Sequence, residues 1–179
     1  MFRRIGIPVI DADRISRKVM APGGRAYSRV VLEFGSGILL PDGSIDRKKL
    51  GGIVFSDPVR RKRLEALTHP AILETIQELL EKLSKTGRQA AIVEATLIHE
   101  SSAKEIFEAI ISVRCGEETQ LRRVMERDRL SREEALSRLR TQMDAEQKAL
   151  RSNHVIDNSG TLSETRIQVE RIARILLDR

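Results

Sequence analysis

Short apolar runs alternate along the chain with longer stretches in which apolar residues recur every three or four positions. The short runs predict buried strands at about 7–10, 90–95, 109–113 and 155–156. The longer stretches predict amphipathic helices between and after these strands, and two of these helices are predicted to begin at capping boxes, Ser131 with Glu134 and Thr161 with Glu164. Strands that are separated by helices indicate a parallel, right-handed α/β sheet with helices packed on its faces.

The interval between the first two predicted strands is much longer than a simple crossover helix. Residues 21–87 show only helical patterns, with helices predicted to begin after Asp46 and after Asp57. We expect Thr68-His69-Pro70 to interrupt the second of these helices, because proline disfavours the helical conformation of the residue before it. The interval therefore predicts a helical subdomain inserted into an α/β core.

Composition narrows the class of protein. The chain has 179 residues and a net charge of +6, which makes a polyanionic partner plausible, but only 3% of its residues are aromatic. A nucleic-acid-binding module is one hypothesis for such a basic chain, and the scarcity of stacking side chains argues against it. With no long apolar run, no apolar core of a signal peptide and a single cysteine, we expect a cytoplasmic protein without a membrane partner.

Acidic residues follow two of the predicted strands. Asp11 and Asp13 come directly after the first strand, and Glu94 ends the second. In an open parallel sheet, ligands bind beyond the carboxyl ends of the strands. Carboxylates there can accept a proton, contact a magnesium ion or cap the next helix, and the local sequence leaves these roles open.

Seven segments, in order, resemble landmarks of the dephospho-coenzyme A kinase family. The resemblance extends from residue 2 to the C-terminus, and its specificity comes from the order and spacing of the segments rather than from any single one. The segments are Val9-Ile10-Asp11-Ala12-Asp13, Leu67-Thr68-His69-Pro70, and the runs at 94–100, 120–128, 130–135, 142–143 and 155–160.

The resemblance implies a P-loop NTPase-like kinase fold in three parts. An α/β core would comprise residues 1–20, 88–128 and 151–179, with a helical coenzyme A-binding insertion at 21–87 and a short helical lid at 129–150. The implied reaction transfers the γ-phosphoryl group of ATP, with Mg²⁺, to the ribose 3′-hydroxyl of dephospho-CoA. This is the last step of coenzyme A synthesis.

The same resemblance implies roles for particular residues. Asp13 matches the general base, and Asp11 is either a structural acid or one on the metal side. Arg127 with Asp128 matches a pair at the hinge of the lid. Arg138 and Gln142, four residues apart, would share one helix face, where Arg138 is the candidate for contacting phosphate and a solvated arginine is the alternative.

Further contacts with substrate are implied at three places. His69, held out of the helix by Pro70, would contact the acceptor, although a lone histidine is more often structural. Glu94 would lie near the magnesium shell. The turn Asn158-Ser159-Gly160 would contact adenine through backbone groups, and a plain strand-to-helix turn explains the same residues.

One feature of the family is absent from these residues. The family opens with a strand and a glycine-rich loop ending in Gly-Lys-Ser or Gly-Lys-Thr, and no Gly-Lys dipeptide occurs in the 179 residues. We therefore expect that the sequence begins about twenty residues late and lacks the first, central strand and the phosphate loop. A misassigned start, a fragment and a true truncation are the alternatives. The last would leave a non-catalytic CoA- or nucleotide-binding remnant.

The 179-residue chain alone should show little or no ATP-dependent kinase activity. Loss of the loop's oriented N–H donors and its lysine removes most of the stabilisation available to the transferring phosphoryl group. Purified chain incubated with ATP and dephospho-CoA tests this, and robust turnover would refute it.

Overall fold

The computed structural model describes residues 1–95, 106–140 and 145–178, apart from the side chains of Arg138 and Arg140. The strands are β1 (Val9–Asp11), β2 (Ile92–Glu94), β3 (Ile111–Arg114) and β4 (His154–Asp157). The α-helices are α1 (Ala12–Val19), α2 (Tyr27–Phe34), α3 (Arg47–Ser56), α4 (Pro58–Lys85), α5 (Glu117–Asp128), α6 (Arg132–Arg140), α7 (Ala145–Leu150) and α8 (Leu162–Leu177). Short 3₁₀ helices cover Phe2–Ile5 and Ser36–Ile38.

The chain divides into two compact units, and each contains one pair of parallel strands. The first unit comprises Met1–Ile7 and Leu97–Arg179, and the second unit comprises Pro8–Thr96. Strands β3 and β4 pair in the first unit, whereas β1 and β2 pair in the second. The prediction of an α/β fold with parallel strands flanked by helices is therefore confirmed, while the limits of the insertion and the lid stay predictions.

The core of the second unit fixes the position of β1 and α1. Ile15 and Val19 lie one turn apart on α1 and are both buried, which follows from their i, i+4 spacing. They pack in a cluster that includes residues from β1 and from α2 to α4. Its buried members are Ile10, Ile15, Val19, Met20, Ala26, Val30, Ile38, Ile45, Leu50, Ala71 and Ile76.

Helix α4 continues through Pro70, so the predicted interruption at Thr68-His69-Pro70 was wrong. A proline inside a helix removes one backbone hydrogen bond and costs about 3 kcal/mol. Thr68 and Ala71 are nevertheless buried on either side of it, and the Thr68 hydroxyl donates to the Leu64 carbonyl at 2.8 Å. Burial of both flanks against the core thus keeps the two halves in one helix. Within it, His69 is helical and solvent-exposed.

The first unit is organised around β4 and α8. Leu121 of α5 is also buried in this unit. The β3–β4 register runs from Ile111 opposite His154 to Arg114 opposite Asp157. Ile156 of β4 is buried against Val169 and Ile172 of α8, with partly buried Leu176 beside them. These positions confirm the apolar stripe that the sequence predicts for the last helix.

The two predicted capping boxes are present in the first unit. At α8, Glu164 accepts the Thr161 N–H at 2.7 Å while the Thr161 hydroxyl accepts the Glu164 N–H at 3.3 Å. At α6, Ser131 and Glu134 make the same pair of bonds at 2.8 and 3.2 Å. Asp46 and Asp57 likewise cap α3 and α4 as predicted. Within the described ranges, no helix combines the length and the apolar character that crossing a bilayer requires.

Replacement of Glu164 by alanine should lower the melting temperature most near neutral pH. Hydrogen bonds from the Thr161 backbone and hydroxyl lower the pKa of Glu164 from its ordinary value. A lowered folded-state pKa means that the stabilisation is present above the unfolded pKa and is lost as pH falls through the folded one. The difference in melting temperature between wild type and Glu164→Ala should therefore shrink in acid.

Ser163→Ala is the matched control, because it alters the same turn without removing a titratable group. Its effect on melting temperature should follow no such pH dependence. A Glu164→Ala difference that stayed constant from neutral pH down to about pH 3, below the usual carboxyl pKa, would contradict the assigned role of the charge.

Candidate active site

Strands β1 and β2 end side by side in the second unit. Their parallel register places Val9 opposite Ile92 and Asp11 opposite Glu94. Because paired strands lie about 4.8 Å apart, the two acids begin at the same edge of the strand pair. Helix α1 starts at the next residue, Ala12, which puts Asp13 in its first turn. Strand pairing and the start of α1 thus bring three predicted site residues together.

Asp11 is the N-cap of α1. Its Oδ1 atom accepts the Arg14 backbone N–H at 2.9 Å, which satisfies one of the donors that a helix start leaves unpaired. Capping, one of the roles left open by the sequence, is therefore observed. The bond also fixes the direction in which α1 leaves β1, and with it the position of Asp13.

An open cavity of about 510 Å³ lies at this edge of the second unit. Asp13 is solvent-exposed there and lies in the first turn of α1. The lining residues are Asp11, Asp13, Arg14, Arg17, Glu94 and Ala95. His69 is not among them, so the structure does not bring that predicted acceptor contact to the cavity.

Sequence reasoning missed the two arginines of this cavity. Arg14 and Arg17 are three residues apart on α1, and Arg17 is four residues after Asp13. Both spacings place side chains on neighbouring positions of one helix surface. The spacing from Asp13 was the available clue, but it predicts an ordinary surface ion pair equally well.

The cavity offers carboxylate oxygens from Asp11, Asp13 and Glu94, which are ligands of the kind that Mg²⁺ accepts. In the part of the chain that the structure describes, no three carboxylate, imidazole or thiol groups cluster closely enough to hold a metal. Mg²⁺ usually takes one or two protein carboxylates and completes its shell with water and substrate phosphates. The paired strand ends at Asp11 and Glu94 fit that limited contribution.

In the first unit, the turn after β4 is held by a side-chain amide. Gln168 of α8 accepts the Asp157 N–H through Oε1 and donates to the Asp157 carbonyl through Nε2, both at 2.8 Å. Ser159 donates its N–H to the Asp157 carboxylate at 2.9 Å, and its hydroxyl accepts the Gly116 N–H at 3.0 Å. The loops after β3 and β4 are thereby joined at the carboxyl ends of their strands.

Asn158 is largely occupied by contacts within the protein. Its N–H donates to the Arg114 carbonyl at 2.7 Å, and its own carbonyl accepts from Arg123 at 3.0 Å. Its side-chain oxygen accepts the Thr165 hydroxyl at 3.0 Å. These bonds are those of a strand-to-helix turn, which is the alternative to an adenine contact that the sequence left open. At Gly160, a Cβ would collide with the Glu164 carboxylate, so the capping box alone explains the glycine.

Asp157, at the carboxyl end of β4, is stabilised in its negatively charged form. Hydrogen bonds from Ser159 are the main cause that lowers the pKa of Asp157 from its usual range, and nearby Arg114 adds to it. The Arg114 guanidinium lies 3.6 Å from the Asp157 carboxylate and 3.5 Å from Glu146 of α7. The ends of β3 and β4 and helix α7 are thus linked by charge as well as by hydrogen bonds.

Arg127 and Asp128 form a bidentate pair at the end of α5. The Arg127 guanidinium donates twice to the Asp128 carboxylate, at 2.8 Å each, and these bonds raise the pKa of Arg127. Arg129 then ends the helix with φ 54°, in the left-handed region that favours glycine. Arg132 of α6 pairs with Glu118 of α5 at 2.7 Å.

The predicted phosphate-contacting face of α6 is only partly described. Arg138 lies in α6, which ends at Arg140. Gln142 lies outside the described residues, so its shared face with Arg138 stays a prediction.

Parallel strand pairs flanked by helices, with acids where the strands end, define an α/β protein of the P-loop NTPase type. The family model for dephospho-CoA kinase matches residues 1–164. The chain belongs to the dephospho-CoA kinase family.

Individual relatives agree along nearly the whole chain. The dephospho-CoA kinase of Geobacter sulfurreducens is 47% identical over 172 residues, which cover 96% of this chain and 87% of the relative. That of Bacillus cereus strain ATCC 10987 is 40% identical, covering 97% and 87%.

Two solved structures share the fold. The crystal structure of TT1252 from Thermus thermophilus is 32% identical, with a TM-score of 0.78 covering 98% of this chain and 87% of that one. Dephospho-CoA kinase from Campylobacter jejuni is 31% identical, with a TM-score of 0.68 over 97% and 87%.

Proposed function

We propose that this chain is the catalytic and acceptor-binding part of a dephospho-CoA kinase, which transfers the γ-phosphoryl group of ATP to the ribose 3′-hydroxyl of dephospho-CoA. One observation carries the assignment within the family. Asp13, at the start of α1, is exposed to an open cavity at the paired ends of β1 and β2. A hydroxyl that enters this cavity meets a carboxylate positioned by the backbone.

Asp13 acts as the general base. A ribose hydroxyl is a poor nucleophile until its proton is removed, and a carboxylate within hydrogen-bond reach can accept that proton. Asp13 takes the proton from the 3′-hydroxyl while that oxygen bonds to the γ-phosphorus, and ADP leaves with the electrons of the broken phosphorus–oxygen bond. Asp11 contributes indirectly, because its cap on Arg14 N–H orients the first turn of α1.

Asp11 and Glu94 are the described residues that would face Mg²⁺, through their carboxylates at the strand ends. Bound with ATP, the ion would neutralise charge that builds on the phosphates. For the nucleotide, the first unit supplies the turn at Asn158, Ser159 and Gly160, which is proposed to contact adenine through backbone groups. Arg138 is proposed to contact phosphate groups, Gln142 to contact substrate, and Arg127, paired with Asp128, to lie at the hinge of the lid on the nucleotide side.

A binding protein without turnover is the second candidate function. The observation that favours it is the absence of any Gly-Lys dipeptide from the 179 residues. The two candidates separate when a phosphate-loop segment from the Geobacter sulfurreducens relative is joined to the N-terminus of this chain. An active chimera supports the kinase, whereas a chimera that binds dephospho-CoA and ATP without turnover supports the binding protein.

In such an active chimera, Asp13→Asn should lower kcat by roughly 10²- to 10⁴-fold, because it removes the proton acceptor. The KM for ATP should change little. Asp11→Asn is the comparison variant rather than a neutral control: asparagine keeps the capping oxygen but removes the charge proposed to face Mg²⁺, so its loss of kcat should be smaller than that of Asp13→Asn. Steady-state kinetics measure both variants. Near-normal kcat in Asp13→Asn with loss of activity in Asp11→Asn would show that the wrong acid was chosen.

Arg138→Ala in the chimera should reduce kcat more than it raises the KM for ATP. Positive charge near the transferring group is most stabilising in the transition state. Arg138→Lys should recover only part of the rate, because a point charge replaces a planar fork.

Arg132→Ala serves as the control on the same helix, since Arg132 is already paired with Glu118. It should leave kcat nearly unchanged. Equal losses in the Arg138 and Arg132 variants would mean that arginines of α6 act only as surface charges, and the phosphate-contacting role would be withdrawn.

A further inference from the structure

We propose that Arg14 and Arg17 form an anion-binding pair that receives the diphosphate of the acceptor while its 3′-hydroxyl lies at Asp13. This assignment rests on the proposed function and adds two specificity-determining residues to it. Both arginines line the same cavity as Asp13.

The geometry of α1 places Arg14 and Arg17 on the same exposed surface of the helix as Asp13. Ile15 and Val19 are buried and define the inner face of the helix. Asp13 and Arg17 are four residues apart and are both exposed, so their Cβ atoms are about 5–6 Å apart on the outer face. Arg14 precedes Arg17 by three residues, which makes the Cβ atoms of the two arginines neighbours as well.

The charge of the cavity makes these arginines necessary for an anionic ligand. Its lining carries the carboxylates of Asp11, Asp13 and Glu94 but only the two guanidinium groups of Arg14 and Arg17. A ligand with a diphosphate would be repelled by the acids alone, since like charges in a partly enclosed site interact unfavourably. The arginines are the cations of the lining that can offset this repulsion.

The chemistry of the acceptor matches this arrangement. Dephospho-CoA carries its 5′-diphosphate on the same ribose that bears the reactive 3′-hydroxyl. A hydroxyl at Asp13 therefore leaves the diphosphate within reach of side chains about one helical turn away. Guanidinium groups bind phosphate oxygens in a bidentate manner, and two of them are present for two phosphate groups.

A role confined to helix stability is the competing explanation. Arg17 and Lys18 both lie in the last turn of α1, where cations complement the helix dipole. Lys18 is exposed but does not line the cavity. The two residues therefore share the stabilising role and differ in access to the ligand, which makes Lys18→Ala a matched control.

The test is calorimetric titration of the purified 179-residue chain with dephospho-CoA, which requires no turnover. Arg17→Ala should weaken the binding of dephospho-CoA roughly tenfold or more, because charge-assisted bonds to phosphate are lost. The double variant Arg14→Ala/Arg17→Ala should weaken it further. Arg17→Lys should recover part of the affinity. Lys18→Ala should leave it within about twofold. Melting temperatures of all variants separate loss of contact from loss of stability.

The outcomes distinguish this proposal from the proposed function. If the wild-type chain binds dephospho-CoA and Arg17→Ala binds as tightly as Lys18→Ala, the anion-binding pair is refuted and the kinase assignment stands. If the wild-type chain does not bind dephospho-CoA at all, both are overturned. In the active chimera, a raised KM for dephospho-CoA with unchanged KM for ATP supports the pair. A fall in kcat alone would instead mean that Arg17 acts through Asp13, and would overturn it.

Discussion

The bond between the Asp11 carboxylate and the Arg14 N–H determines most of what the second unit can do. Asp11 is the last residue of β1, the register partner of Glu94 and the N-cap of α1. One residue therefore ends the strand, fixes the spacing to the neighbouring acid and sets the start of the helix. Buried Ile15 and Val19 then hold that helix against the core. The exposed residues of its first two turns are therefore positioned by packing on the opposite, buried face of the same helix.

In the first unit, a side-chain amide rather than a carboxylate cap joins a strand end to a helix. There, α8 is attached to the end of β4 through Gln168, whose amide bonds both the N–H and the carbonyl of Asp157. A side-chain amide thus replaces a backbone partner at the last residue of the strand. Ser159 extends the attachment to the loop after β3. In both units, polar bonds orient the strand ends and apolar packing of the following helix makes that orientation rigid.

The parts of this structure that the sequence predicted are those governed by local rules. Capping boxes at Ser131 and Thr161 depend on residues three apart, and the buried stripe of α8 depends on helical periodicity. Pro70 was mispredicted because the local cost of a proline was weighed without the burial of Thr68 and Ala71 around it. Tertiary packing around Pro70 therefore outweighed its low helix propensity.

The contacts that the sequence did not reveal join residues far apart in the chain or depend on the shape of a surface. Gln168 is eleven residues from Asp157, and Arg123 is thirty-five from Asn158. No short motif encodes either bond. Asp11 and Glu94 were each predicted from strand ends, and the register that places them opposite one another emerges only from the fold. In the sequence, Arg14 and Arg17 of α1 resemble ordinary surface charges. Only the folded structure shows that they line a cavity.

Recognition and turnover are physically separable in a kinase of this kind. Positioning an acceptor hydroxyl needs a base and complementary charge, and the outward face of α1 carries Asp13, Arg14 and Arg17 as the residues proposed for these roles within a single unit. Transfer of the phosphoryl group further needs donors aimed at the charge that develops on its oxygens. Those donors come from a glycine-rich loop in the family, and the 179 residues contain no Gly-Lys dipeptide. Under the proposed function, binding of the acceptor and stabilisation of the transition state would depend on different segments, so substitutions on α1 and in such a loop should have separable effects on KM and kcat.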